Sequence, residues 1–145
     1  MRLVSWNVNG IRAAAKRGLA EWLRASDADV FCLQETKAHP DQVDESLRKP
    51  EGFSTYWAFA ERRGYSGVAL FLRGQPLEVT SGLGIPRFDT EGRVITARYP
   101  QFLLFNVYFP NGKMSDERLK YKMDFYEEFL GRLVDLKSHG ERIVV

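Results

Sequence analysis

Four apolar residues in a row, Val30-Phe31-Cys32-Leu33, stop abruptly at Gln34-Glu35-Thr36-Lys37. A continuous apolar run closed by polar groups predicts a strand buried on both faces, its C-terminal end opening on a crevice of the kind that holds ligands in α/β sheets. The same pattern recurs in Leu3 to Gly10, which ends in Asn7, Asn9 and Gly10, and in Leu103 to Phe109, which runs into Pro110-Asn111-Gly112. The expectation is three strands side by side and parallel, or nearly so, with their polar tips converging on one mouth.

Between these runs the pattern changes period. Ile11 to Gly18 is an Ala-rich turn bearing Arg12, Lys16 and Arg17, and Leu19, Trp22 and Leu23 continue with amphipathic helical spacing until Ser26-Asp27. Pro40 to Arg48 predicts a short polar helix. Phe53 to Phe59 and Gly67 to Leu72 are rich in aromatic and branched residues and predict two strands joined through Glu61-Arg62-Arg63-Gly64-Tyr65-Ser66. Pro76 to Gly82 predicts another short strand, Gly84 to Gly92 a loop, and Arg93 to Tyr99 a half-exposed strand. Ser115 is placed to cap a long helix, with Asp116 and Glu117 at its positive end and a buried stripe of Leu119, Met123, Tyr126, Leu130 and Leu133, closed by Gly140. Arg142 to Val145 opens a further buried strand. Together these predict an α/β domain with a mixed sheet and helices on one face.

Composition narrows the class. The 145 residues suit one domain, and 44% hydrophobic with 28% charged residues excludes a disordered chain. No run is long and apolar enough for a membrane helix, and the N-terminus carries no secretory pattern, so a cytoplasmic setting with no membrane partner is expected. The single Cys32 sits inside an apolar strand and reads as a small buried hydrophobe. A net charge of only +2 means that nucleic-acid binding has to come from a local basic surface.

The tips carry the chemistry. Glu35 and the amide oxygen of Asn7 are hard oxygen donors suited to Mg²⁺, with Mn²⁺ as an alternative, while His39 and His139 lie in polar segments and form no zinc cluster. Tyr108 and Asn111 can donate hydrogen bonds to a phosphate oxygen as charge builds on it, so phosphate-ester hydrolysis is the reaction class. Each residue also has a plain alternative: a strand-end carboxylate, turn-forming amides, a core ring with a wet hydroxyl. From composition Arg12, Lys16 and Arg17 read first as a solvated helix face, with phosphate contact as the sharper alternative. The Gly64-Tyr65 loop reads as a plain hairpin connection or as a groove contact. Nothing in the chain supplies a second acidic group or a His placed to activate water.

Five segments, Ser5 to Arg12, Leu33 to Lys37, Gly64 to Ala69, Glu91 to Val94 and Asn106 to Gly112, closely resemble in order and spacing the exodeoxyribonuclease III family of abasic-site endonucleases. That resemblance implies a four-layer α/β/β/α sandwich of two packed sheets between helices, related to deoxyribonuclease I. It also implies Mg²⁺-dependent cleavage of double-stranded DNA 5′ to abasic sites, with removal of nucleotides or blocking groups from 3′ ends. On the family pattern Glu35 corresponds to the metal-binding Glu, Asn7 to the active-site Asn beside it, Tyr108 to the active-site Tyr and Asn111 to a phosphate contact. Asn9 falls where relatives carry Asp or Asn. Arg12, Lys16, Arg17, Gly64 and Tyr65 correspond to segments that grip DNA. The chain lacks the family's Gly-Asp-Phe-Asn and Ser-Asp-His motifs, so residues 1–145 resemble the N-terminal part of one such domain, the remainder being absent or carried on a separate chain. In isolation this part is expected to be an inactive nucleic-acid-binding fragment. A relative acting on RNA or phosphomonoesters is the other reading.

Overall fold

Leu3–Asn7 (β1) and Val30–Gln34 (β2) pair in parallel, with Asn7 opposite Gln34, in a computed structural model that describes residues 1–113 and 115–145. Parallel neighbours need a long connection, and here it carries two helices, Ile11–Ala15 (α1) and Leu19–Ala25 (α2). The chain then passes Glu45–Arg48 (α3) and enters a hairpin of Ser54–Ala58 (β3) and Val68–Leu72 (β4), which completes a first sheet ordered β1-β2-β4-β3. A second sheet is ordered β5-β6-β7-β8, from Glu78–Ser81 (β5), Val94–Arg98 (β6), Leu103–Val107 (β7) and Ile143–Val144 (β8). Pro86–Asp89 (α4) lies between β5 and β6, and Asp116–Ser138 (α5) between β7 and β8.

Period-2 alternation builds three cores. Val30 and Cys32 of β2, with Val68, Leu70 and Leu72 of β4, meet Ile95, Ala97 and Leu104 of the second sheet, so the two sheets pack face to face. Phe31, Leu33, Ala69 and Phe71 point the other way, against Ile11, Ala14, Leu19, Leu23 and Leu47 of the helices. Val94, Leu103 and Phe105 pack outward on Phe88, Phe125 and Phe129. The layers therefore run α/β/β/α, the architecture that the family resemblance implied.

The pattern reading needs correction at several points. One mixed sheet with helices on one face is instead two sheets with helices outside both, because β2, β4 and β6 each bury both faces and one layer of helices cannot cover two sheets. The strand expected to be half-exposed, β6, is central, flanked by β5 and β7, and its Thr96 is buried on the side facing Arg132 and Leu136 of α5. The Gly84 to Gly92 loop contains α4, whose Phe88 is buried. On α5, Leu119, Met123, Tyr126 and Leu130 are exposed, and the buried face is Phe125 and Phe129 with Tyr121, Leu133 and Leu136 beside them. Only Leu133 of the expected stripe lies on that face. β1 and β8 are edge strands among the described residues, so Ser5, Trp6 and Asn7 are exposed and Val144 is 37% exposed rather than buried. Ser115 does cap α5, its Oγ accepting from the Arg118 N–H at 3.1 Å. No helix among the described residues is long and apolar enough to cross a membrane.

Candidate active site at the strand tips

Asn7 and Glu35 leave the first sheet side by side because β1 and β2 end in register. Asn7 Nδ2 donates to Glu35 Oε1 at 2.8 Å, and the Asn9 N–H donates to Asn7 Oδ1 at 3.0 Å. Lys37 Nζ sits 2.9 Å from Glu35 Oε2 and donates to Asn9 Oδ1 at 2.6 Å. Backbone bonds lock the loops: Gly10 N–H to Glu35 O at 2.7 Å, Ile11 N–H to Thr36 O at 2.9 Å and Lys37 N–H to Ser66 O at 2.8 Å. Asn9, Glu35, Lys37 and Ser66 all adopt positive φ, between 46° and 54°. Each such residue costs on the order of 1 kcal/mol in local strain, and four gathered at one spot mark it as a site.

Tyr108 arrives from the other sheet, so the three tips converge across the sandwich rather than along one parallel sheet. The link is Asn106, 1% exposed on β7, which crosses between the sheets. Its Nδ2 donates to Ala69 O at 2.9 Å and its Oδ1 accepts from Gln34 Nε2 at 2.8 Å. Asn106→Leu is expected to remove the bonds to Gln34 and Ala69 that tie the sheets together and lower the free energy of unfolding by about 1–3 kcal/mol, read from urea titration; an unchanged midpoint would argue against the bridge. Two residues beyond Asn106, the Tyr108 hydroxyl faces the Glu35 carboxylate.

Electrostatics follow from this clustering. Burial opposes ionisation of Glu35, but the contacts with Asn7, Lys37 and Tyr108 outweigh it and hold the carboxyl below its usual range. Burial, then the adjacent Glu35 carboxylate, push the Tyr108 phenol up to about 12, so it stays a proton-bearing donor near neutrality. Glu91 is also lowered, its burial outweighed by Arg118 and Arg93. For a lowered carboxyl the unfolded chain binds more protons, so the stabilisation is full above the ordinary value of 4.5 and is lost as pH falls through the folded values. Unfolding free energy is expected to fall on acidification below that value, and Glu91→Gln to flatten the slope in an acid titration followed by circular dichroism.

The other expected site residues divide. Arg12, Lys16 and Gly64 line one hollow together with Gly10 and Lys37, next to the Glu35 cluster. Arg17 does not join them: α1 ends at Ala15, Gly18 turns the chain at φ 89°, and Arg17 faces a separate hollow with Trp6, Leu19 and Trp22. Asn111 is exposed three residues past Tyr108, where its Oδ1 accepts from the Lys113 N–H at 2.9 Å. Tyr65 is half-buried, its hydroxyl turned to Arg93 and Arg118. Sequence reasoning did not single out Lys37, Asn106 or Arg93 as site residues. The available signal was a lone polar residue beside or within an apolar run.

Among the described residues no three His, Cys, Asp or Glu side chains group to hold a metal. The Glu35 carboxylate and the Asn9 amide oxygen nevertheless converge and already hold one cation, the Lys37 ammonium, whereas Asn7, expected to offer its oxygen, turns its amide nitrogen to Glu35 and its oxygen to the Asn9 N–H. Such a donor set suits a hard divalent ion that retains several waters.

Two facing mixed sheets, helices on both outer faces and an oxygen-lined cation cradle at the strand ends define an α/β/β/α sandwich built around a strand-tip site. The chain belongs to the Endonuclease/Exonuclease/phosphatase family, which residues 4–145 match. It is 42% identical over 137 residues to an exodeoxyribonuclease of Bacillus subtilis, covering 94% of this chain and 53% of that protein. It is 41% identical over 140 residues to the DNA repair nuclease APEX1 of Danio rerio, covering 95% of this chain and 45% of that protein. The crystal structure of the Xenopus laevis APE2 catalytic domain superposes with a TM-score of 0.85 at 33% identity, over 99% of this chain and 56% of that one. The chain thus spans about half the length of the curated relatives it matches.

Proposed function

We propose that this chain forms the metal- and phosphate-binding half of a DNA-repair phosphodiesterase that cuts 5′ to abasic sites and trims 3′ ends. The observation that carries the reading is the meeting of Asn7, Glu35 and Tyr108 in one cluster. Glu35, with Asn7 and Asn9, would hold Mg²⁺, or Mn²⁺ in its place, and the ion would neutralise charge building on a non-bridging phosphate oxygen. Tyr108, kept protonated, donates to the same phosphoryl group, and Asn111, three residues on, is available to do so. Arg12, Lys16 and the Gly64-Tyr65 loop contact the DNA backbone on one side of the cluster, and Arg17 reaches the duplex from its separate hollow. Among the described residues the cluster holds a single carboxylate, so the reading assigns metal and phosphate binding, not water activation, to this chain. A reducing intracellular setting suits the free, buried Cys32.

The test is binding of duplex DNA carrying one abasic analogue, with Mg²⁺, to the purified chain. Preference for that duplex over an intact one, without turnover, is the expected result. Equal binding to both, or none, would overturn the reading, and clear metal-dependent cleavage would overturn its division of labour.

A further inference from the structure

Behind Tyr108 lies an ion-paired cluster that the chemistry above does not use. Arg93 is 2% exposed; its Nε donates to Glu91 Oε2 at 2.6 Å, its Nη1 to Tyr108 O at 3.0 Å and its Nη2 to the Tyr65 hydroxyl at 3.0 Å. The same guanidinium lies 4.8 Å from the centre of the Tyr108 ring, and the Tyr108 N–H returns a hydrogen bond to Arg93 O at 2.9 Å. Arg118, from the first turn of α5, donates through Nη1 to Glu91 Oε1 at 2.8 Å and through Nη2 to the Tyr65 hydroxyl at 3.1 Å. One carboxylate thus holds two guanidinium groups, and both reach the same phenol.

A phenol oxygen accepts at its lone pairs and has one proton to give. With two guanidinium N–H groups directed at the Tyr65 oxygen, its proton is left to point away from the cluster. We propose that Glu91, Arg93 and Arg118 are positioning residues: they present the Tyr65 hydroxyl as a hydrogen-bond donor to a DNA phosphate oxygen and hold Tyr108 against Glu35. The proposal rests on the nuclease reading for its ligand. A buried ion pair serving stability alone needs only one arginine per carboxylate and often does no better than an apolar replacement. Here the second arginine ties the Glu61 to Ser66 loop to the start of α5, and the first ties that loop to the end of β7. The rival reading is that Arg118, whose side chain is 25% exposed, contacts phosphate itself.

Two measurements separate these. In duplex binding by fluorescence anisotropy, Tyr65→Phe and Arg118→Met are each expected to weaken affinity by about three- to tenfold. Because Arg118 acts through Tyr65, the double variant should bind about as well as Tyr65→Phe alone, and the dependence of log Kd on log salt should match that of the wild type. Multiplying effects, together with a salt slope reduced by about 0.9, would mean a direct phosphate contact and would overturn the proposal. In protein carbon-13 labelled at the tyrosine ζ carbon, Arg118→Met should move the Tyr65 resonance and that of Tyr121, whose ring centre lies 4.2 Å from the guanidinium, but not that of Tyr108, and Arg93→Lys should move those of Tyr65 and Tyr108 together. A Tyr65 signal unmoved by Arg118→Met overturns the proposal even where Arg93→Lys fails to fold. Failure of the wild-type chain to bind duplex would overturn the nuclease reading, while the resonances still decide whether the cluster holds the tyrosines.

Discussion

Glu35→Gln is expected to weaken Mn²⁺ binding to this chain by about a hundredfold or more, measured by calorimetry or by the electron paramagnetic resonance of free Mn²⁺. Among the described residues Glu35 carries the only formal negative charge in the cradle; the other oxygen on the Lys37 ammonium belongs to the amide of Asn9. Removing one charge about 4 Å from a cation in a partly screened site is worth on the order of 3–4 kcal/mol, and each 1.4 kcal/mol is about tenfold in affinity. The substitution also leaves Lys37, 2.9 Å from Glu35 Oε2, without its counter-charge, so the ammonium then repels an incoming ion. Lys37→Met should act in the opposite sense and tighten binding, because the ammonium engages the Glu35 and Asn9 oxygens that would hold the ion. Unchanged affinity in both variants would remove Glu35 from the metal site.

Gly92→Ala is expected to destabilise the fold by about 2–5 kcal/mol in urea unfolding. Gly92 has φ 58°, where an L side chain costs about 1–2 kcal/mol. A Cβ there would stand 2.6 Å from Phe59 O and 2.7 Å from Phe59 Cα, overlapping backbone that cannot swing aside, which adds about 1–3 kcal/mol. The site would feel the change, since Glu91 and Arg93 flank this residue and both belong to the cluster behind Tyr108. Gly64→Ala is the control. Its φ of 76° is also left-handed, but nothing lies within 4 Å of the added carbon, so only the conformational cost of about 1 kcal/mol is expected. Equal losses in the two variants would mean that the Phe59 contact carries no energy.

Much of this architecture is legible in local pattern. The runs at β2 and β7 are strands because apolar residues alternate between two packed faces, and each stops where polar side chains begin. The β3–β4 hairpin and the Ser115 cap are equally local. Helix α5 marks where pattern reading fails. Its sequence offers two apolar faces, Leu119-Met123-Tyr126-Leu130 and Tyr121-Phe125-Phe129-Leu133-Leu136, both at helical spacing. Periodicity cannot choose between them. The sheet does: Phe125 packs on Phe88 and Phe129 on Phe105 at ring separations of 5.3 and 5.6 Å, and these large rings bury more apolar surface.

By itself the sequence determined which residues form strands, where each strand ends in polar groups, and that Asn7, Glu35 and Tyr108 stand at such ends. Only the tertiary structure decided that Tyr108 reaches Glu35 from a second sheet, that Arg17 turns away from Arg12 and Lys16, and that Arg93 and Arg118 share Glu91 and Tyr65. The division has a physical cause: periodicity and capping act over a few residues, whereas packing of one sheet on another and the sharing of a buried carboxylate join positions tens of residues apart.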